Sequence, residues 1–247
     1  MSSNNQPVMA KPGGFLVIDK PFGRSSMWLV ANVRRRFEGR MRVGHAGTLD
    51  PLATGVMLLA AGSATKLIDR CMHLCKRYVT EVDLSAFTST DDLEGEQIPV
   101  EIAARPSLDD VRTAAQRFVG TILQRPPAFS AVHVGGRRAY ALARSGASVD
   151  LPERPVKVHS LEVVSYDWPL VTLDVHCGKG FYIRSLARDL GVELGTGGHC
   201  TSLRRTAIGP FDDGWLRSID ELPERMTMDE LIPSQRVLDS IDSFNPA

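Results

Sequence analysis

Over 171–177, Val171, Leu173, Val175 and Cys177 alternate with Thr172, Asp174 and His176, which predicts a strand with one buried face. Gly178-Lys179-Gly180 then turns the chain into a helix whose inward stripe is Ile183, Leu186, Ala187, Leu190 and Leu194. Near the start, a short apolar strand over 14–18 ends at Asp19-Lys20-Pro21 and turns through Gly23. Ser25 can cap a helix that faces Val30, Val33 and Phe37 inward and leaves Arg34, Arg35 and Arg36 partly on the wet side. A helix after Ser63 would bury Leu67, Cys71 and Leu74, and a strand over 78–84 follows, with Val82 and Leu84 alternating with charge. Residues 107–110 have the form of a capping box ahead of a helix bearing Val111, Ala115 and Phe118. Further helices are predicted over 137–145, stopped by Gly146 as a left-handed cap, and over 228–238. Helices and strands mix without a regular βαβ repeat. The predicted class is therefore α+β, with a mixed, largely antiparallel sheet flanked by helices.

The 247 residues are 43% apolar and 23% charged, which excludes a disordered chain, a collagen-like repeat and a disulfide scaffold. That length suits one large domain, or one with a small appendage. No apolar run approaches the ~20 residues of a membrane span, and the first fourteen residues lack the apolar core of a secretory signal. A cytoplasmic protein is the expectation. Four scattered cysteines then read as free thiols. Cys71, His73 and Cys75 lack a second ligand pair at zinc spacing, and Cys71 and Cys75 would share an apolar helix face, so no metal is expected.

Charge is balanced overall, 29 basic against 29 acidic residues, but it is segregated. Residues 1–80 carry 12 basic and 4 acidic groups, 81–120 carry 3 and 9, 121–205 carry 11 and 7, and 206–247 carry 3 and 9. Two basic blocks of this kind either form a positive face for a polyanion or are the solvated faces of ordinary helices.

Chemistry concentrates in residues 44–55, GHAGTLDPLATG. Its glycines permit tight turns and close approach to a ligand, and Pro51 stiffens the backbone beside Asp50. A carboxylate presented on such a loop can be a nucleophile, a general base or a metal ligand, or can simply close a turn.

This segment resembles the catalytic motif of the TruB family of pseudouridine synthases, whose pattern is close to GHxGxLDPxATG. The resemblance extends upstream to DKPFGRSS (19–26) and downstream to Ala64-Thr65-Lys66, Lys76-Arg77-Tyr78, PPAFSAVHVGGRRAY (126–140), Gly180-Phe181-Tyr182-Ile183-Arg184, Asp189-Leu190-Gly191 and Leu203-Arg204-Arg205. It covers about residues 14–208, in the family's order.

The resemblance implies the pseudouridine synthase fold and the isomerisation of an RNA uridine: the N1 glycosidic bond breaks and the base rejoins through C5, without a cofactor. Asp50 maps onto the family's nucleophile; whether attack falls on C1′ or C6, or a glycal forms, stays open. Tyr78 maps onto the tyrosine that stacks on the target base and takes part in proton transfer. Arg184 maps onto the arginine that pairs with the catalytic aspartate, which would keep the carboxylate ionised and oriented. A stacked uridine must be everted, at a cost of a few kcal/mol. His45 maps onto the histidine that lies where the flipped base was, or else it is bonded within its own loop. Tyr182 belongs to the pocket wall or the core, and the same choice applies to Leu203. Lys20 and Lys66 contact phosphate, buttress the loop or sit at the surface.

Arg137 and Arg138 fall in the stretch, about 124–152, that resembles the family's RNA-gripping insertion. The implied substrate is the T arm of tRNA, bound by a monomer without a guide RNA. Residues 1–13 are expected to be a flexible terminus, 14–210 the catalytic domain and 211–247 a short acidic appendage, with no room for the PUA domain of many relatives. An RNA-binding or tRNA-folding protein with the same fold and little activity is the alternative. An Asp-dependent hydrolase is weaker, since no metal-ligand cluster or phosphate-cradling loop accompanies Asp50.

Overall fold

The computed structural model describes residues 12–244 apart from 131, 135–136 and 145–150. In chain order the elements are β1 (Gly13–Lys20), α1 (Ser26–Arg35), β2 (Val43–His45), β3 (Ala53–Gly62), α2 (Ile68–Met72), β4 (Lys76–Asp83), β5 (Ala86–Thr88), β6 (Gln97–Pro99), α3 (Leu108–Gln116) and β7 (Gly120–Gln124). They continue with β8 (His133–Val134), β9 (Arg137–Arg138), α4 (Ala139–Arg144), β10 (Arg154–Asp167), β11 (Leu170–Cys177), α5 (Ile183–Leu194), β12 (His199–Ile208), β13 (Arg217–Ser218), β14 (Ile232–Pro233) and α6 (Ser234–Ser243). The chain divides into two units, residues 1–74 with 207–247, and residues 75–206. Among the described residues no helix is long and apolar enough to cross a membrane.

In the first unit, β1 pairs antiparallel with β3 along its whole length, Gly13 opposite Gly62 through Lys20 opposite Gly55. β2 pairs with the second half of β3, and the C-terminal stretch returns to β1, where β13 is parallel and β14 antiparallel. Phe15, Val17, Val56, Leu58 and Ala60 form the core with Ile208, Phe211 and Val237, so the acidic C-terminal stretch is packed into this unit. β3 shows no alternation in the sequence because nearly all of its side chains, on both faces, are buried.

The second unit is an array in the order β12-β4-β11-β10-β7, in which β4, β11, β10 and β7 are antiparallel neighbours, with α3 packed on β10 and α5. The α+β class and the largely antiparallel sheet stand as read from the pattern. The alternating stretch forms β11, the capping box at Ser107 and Asp110 closes in both directions, and α5 buries Ile183, Leu186, Ala187 and Leu190. Cys71, Cys177 and Cys200 are buried, and Cys75 is half-buried.

Three expectations shift. The helix after Ser63 is a 3-10 turn over Ser63–Leu67 followed by the single turn of α2, so Leu74 and Cys75 lie beyond it. Arg137 and Arg138 form β9, and the helix begins only at Ala139; the expected Gly146 cap lies outside the described residues, as do residues 1–11 of the expected flexible terminus. The last helix starts at Ser234 because Pro233 sits at its N-cap, where a proline's restriction on the preceding residue blocks a helix running in from 228.

Between α5 and β12 the chain runs against β5 with no room for a side chain. A Cβ on Gly197 would sit 2.3 Å from the backbone of Ala86. Gly197→Ala should therefore destabilise the protein by about 2 kcal/mol or more, read from the urea midpoint; an unchanged midpoint would mean that β5 yields freely.

Candidate active site

The motif loop is held from beneath. β1 delivers Lys20, which is fully buried, and its ammonium donates to the carbonyl oxygens of Pro21 (2.9 Å), Arg24 (2.6 Å) and Pro51 (3.3 Å). Those three acceptors match the three hydrogens of an ammonium group. The Pro51 carbonyl also accepts the Gly23 N–H at 2.8 Å. Lys20 therefore has the geometry of a buttress and not of a phosphate contact. Beside it, the Asp19 carboxylate accepts the Gly55 N–H at 3.1 Å. Ser25 caps α1 through the Trp28 N–H, and the next residue, Ser26, reaches into the loop: its hydroxyl donates to the Leu49 carbonyl and accepts the Leu49 N–H, both at 2.8 Å.

Asp50 thus stands between two pinned neighbours, Leu49 and Pro51. Its own carbonyl accepts the Ala53 N–H at 3.1 Å, closing a turn with proline at the second position, where that ring fits best. Gly47 has φ +108, a conformation that side chains disfavour, and it lets the backbone bend between the end of β2 and the loop. The Asp50 side chain is half-buried. A carboxylate on a backbone so constrained keeps its position when a substrate arrives, which is what a nucleophile or base needs. His45 is half-buried at the end of β2, opposite Leu59 on β3, and Lys66 is exposed on the 3-10 turn.

In the second unit, Tyr78 is buried on β4 opposite Val175, and Leu203 is buried on β12. Arg184, in the first turn of α5, is 4% exposed. Its guanidinium donates to the carbonyls of Thr90 (3.0 Å) and Phe129 (2.8 Å) and pairs with the equally buried Asp92 at 3.2 Å. The helix that carries it is fixed by Gln124, whose buried amide accepts the Tyr182 N–H at 2.8 Å and donates to the Tyr182 carbonyl at 3.1 Å. The Arg154 guanidinium lies 5.2 Å from the centre of the Tyr182 ring. Arg188, one turn on, bonds Asp91, Asp189 and the Arg125 carbonyl, and burial pushes both of those carboxyl groups above the usual range while Arg188 pulls them back.

Asp92 and Gln124 were not singled out from the sequence. Asp92 stands in a Thr- and Asp-rich turn that carries no mark of a distant arginine partner, and Gln124 reads as an ordinary strand residue. Arg137 and Arg138 take their place in a two-residue ladder, Arg138 opposite His133 and Arg137 opposite Val134; their side chains lie outside the described residues.

The family model described as TruB family pseudouridylate synthase (N terminal domain) matches residues 34–183, well over half of the chain. The chain belongs to the TruB family of pseudouridine synthases. A second family model, described as tRNA pseudouridylate synthase B C-terminal domain, matches residues 184–243 and so takes in most of the acidic C-terminal stretch. Among curated relatives, the tRNA pseudouridine synthase B of Ruegeria sp. (strain TM1040) is 47% identical over 223 residues, 89% of this chain and 73% of that protein. That of Dinoroseobacter shibae is 50% identical over 200 residues, 81% of this chain and 65% of that protein. Among solved structures, one described as a Cbf5-Nop10-Gar1 complex superposes with a TM-score of 0.68 at 27% identity, covering 92% of this chain and 62% of that one. TruB enzymes are isomerases; of the segments that carried the resemblance, 19–26 precedes the first matched region and the others fall within the two.

Beside Tyr78, on the same face of β4 and opposite Cys177, lies the buried Lys76. Burial, with repulsion from Arg205, pulls its pKa down from 10.5 to about 8, and burial pushes the Cys177 thiol up to about 12. The lysine therefore sheds its proton in the folded protein before it does so in the unfolded chain. Between pH 8 and 10.5 the unfolded state binds more protons, and this group makes stability rise with pH. Urea titrations over that window should show the parent gaining on Lys76→Met, by up to about 3 kcal/mol; parallel curves would show that Lys76 is not desolvated.

Ser26→Ala removes both bonds to Leu49 and leaves a buried donor and acceptor unpaired. The expected loss is about 1–3 kcal/mol of stability by urea unfolding, and a midpoint equal to the parent's would show that the loop is held without Ser26.

Proposed function

We propose that this chain isomerises the T-loop uridine of tRNA (position 55) to pseudouridine, without a cofactor, as a cytoplasmic monomer that needs no guide RNA. The observation that carries the reading is the Asp50 loop, a half-buried carboxylate between two backbone positions locked by Ser26 and Lys20. Relatives at 47% and 50% identity, each named tRNA pseudouridine synthase B, support tRNA as the substrate.

The target nucleotide is everted from its stack, and the energy of unstacking is recovered in contacts with the protein. His45 fills the space that the base leaves. Asp50 attacks as the nucleophile, the N1 glycosidic bond breaks, the base turns, and C5 bonds to C1′; the bond to Asp50 is broken again before product leaves, C5 loses its proton and N1 takes one up. Tyr78 stacks on the base and serves in proton transfer; Arg184 supplies the positive charge that favours an ionised carboxylate. Tyr182 and Leu203 shape the pocket, and Lys66 meets phosphate. Lys20 acts through the loop that it supports. Residues 14–210 carry the chemistry, and the segment around 124–152, with Arg137 and Arg138, grips the RNA.

Release of tritium from C5 of labelled uridine in a tRNA transcript tests the reading. The parent should release it, and Asp50→Asn should lower the rate by roughly three orders of magnitude or more while RNA affinity stays within a few-fold, because only a group used in the transition state is lost. Release at the parent's rate would remove Asp50 from the chemistry. A parent that binds tRNA and releases nothing would favour an RNA-binding or tRNA-folding role.

A further inference from the structure

The first unit contains a groove of about 810 Å³ on the approach to the motif loop. It is bordered by the end of α1, the loop from α1 to β2, and the 3-10 turn at Thr65. Arg34, Arg35, Arg40 and Arg42 line it, all four exposed, and no acidic residue does. Glu38, on the same loop, faces Arg225 at 3.8 Å instead.

The first unit's arginines fall into two groups. Arg36 donates to the carbonyls of Leu222 and Pro223, Arg70 pairs with Asp242, Arg217 reaches the Glu230 carbonyl, and Arg225 faces Glu38. Arg24 and Arg236 lie over the rings of Trp28 and Trp215. The remaining four, which have no ion pair, side-chain hydrogen bond or ring contact among the described residues, are the four that line the groove. Attraction to the C-terminal end of α1 accounts for Arg34 and Arg35 in its last turn. It does not account for Arg40 and Arg42, which lie beyond the helix. Four unneutralised guanidinium groups around one concavity repel each other and gain most from an anion that carries several charges at fixed spacing, which is the form of a ribose-phosphate backbone.

The groove has a direction. Gly44 lines it, and the next residue on β2 is His45, where the motif loop begins. We propose that this groove binds the phosphodiester backbone of the substrate RNA beside the nucleotide to be converted, so that Arg34, Arg35, Arg40 and Arg42 set affinity and register while taking no part in bond making. The inference rests on the RNA-modifying activity proposed above and adds to it a second basic surface, outside the 124–152 segment.

The test uses the full chain, a T-arm hairpin RNA and two double variants, Arg34→Gln/Arg35→Gln and Arg40→Gln/Arg42→Gln, with Arg225→Gln/Arg236→Gln as a charge-matched control away from the groove. Fluorescence anisotropy between about 50 and about 200 mM salt gives affinity and its salt slope. Each groove variant should bind about tenfold more weakly near 100 mM, with the slope reduced by roughly 0.7–0.9 for each phosphate that the variant no longer neutralises. Single-turnover conversion at saturating RNA should stay within about twofold of the parent, since binding that is equal in ground and transition states leaves that rate alone. The control should match the parent in every measurement. Unchanged affinity and slope in both groove variants, or an equal loss in the control, overturns the assignment while the activity stands. A parent that neither binds nor converts the hairpin overturns the functional reading itself, and the groove's assignment with it.

Discussion

Lys20 has no exposed surface, yet it is a cation, and removing an ammonium from water costs several kcal/mol unless its hydrogens find strong acceptors. Here they reach three backbone carbonyls, two in the turn before α1 and one at Pro51, immediately after Asp50. The same contacts that offset its burial fix the motif loop to the end of β1. Ser26 secures the other side of Asp50 through Leu49, and Gly55, held by Asp19, anchors the exit into β3. The DKP and RSS segments thus matter as a frame: neither contains Asp50, and both decide where its backbone lies.

A similar logic governs the second unit. Arg184 carries a buried charge that meets two carbonyls and Asp92, and the turn that presents Thr90 and Asp92 is itself bound through Asp91 and Arg188. Asp91 adopts φ +61, a left-handed conformation uncommon for a residue with a side chain, and it is kept there by its ion pair and by the Cys200 N–H bonded to its carbonyl. Gln124 grips Tyr182 from both directions at the start of α5, so the helix presents its first turn at a set height. In each unit a side chain of the proposed site is placed by backbone-directed bonds from buried polar residues, which hold geometry more tightly than packing of apolar groups alone.

Electrostatics follows the chain's segregation of charge more than its neutral total. Within the basic excess of residues 1–80, Arg24, Arg36, Arg70 and Arg77 are engaged with a ring, carbonyls and carboxylates, and four arginines with no such role among the described residues gather around one concavity. A net charge near zero is therefore compatible with a strong local field, because exposed charges farther apart than about 10 Å are screened from one another in physiological salt.

Read alone, the sequence revealed the class of fold, the best amphipathic elements and the motif loop. β11, α5 and the Ser107 cap follow from short-range periodicity and hydrogen bonding, which neighbouring residues determine among themselves. The resemblance carried by residues 14–208 likewise rests on residue order. β3 stayed hidden because burial on both faces erases alternation, and the last helix was misplaced because Pro233 acts at its cap. What only the tertiary structure decided is partnership: that Lys20 is a buttress, that Asp92 and Gln124 serve Arg184 and Tyr182, and that four arginines from a helix end and a loop line a single groove. Contacts between residues distant along the chain depend on how sheets and loops close in space, and no local spacing encodes that closure.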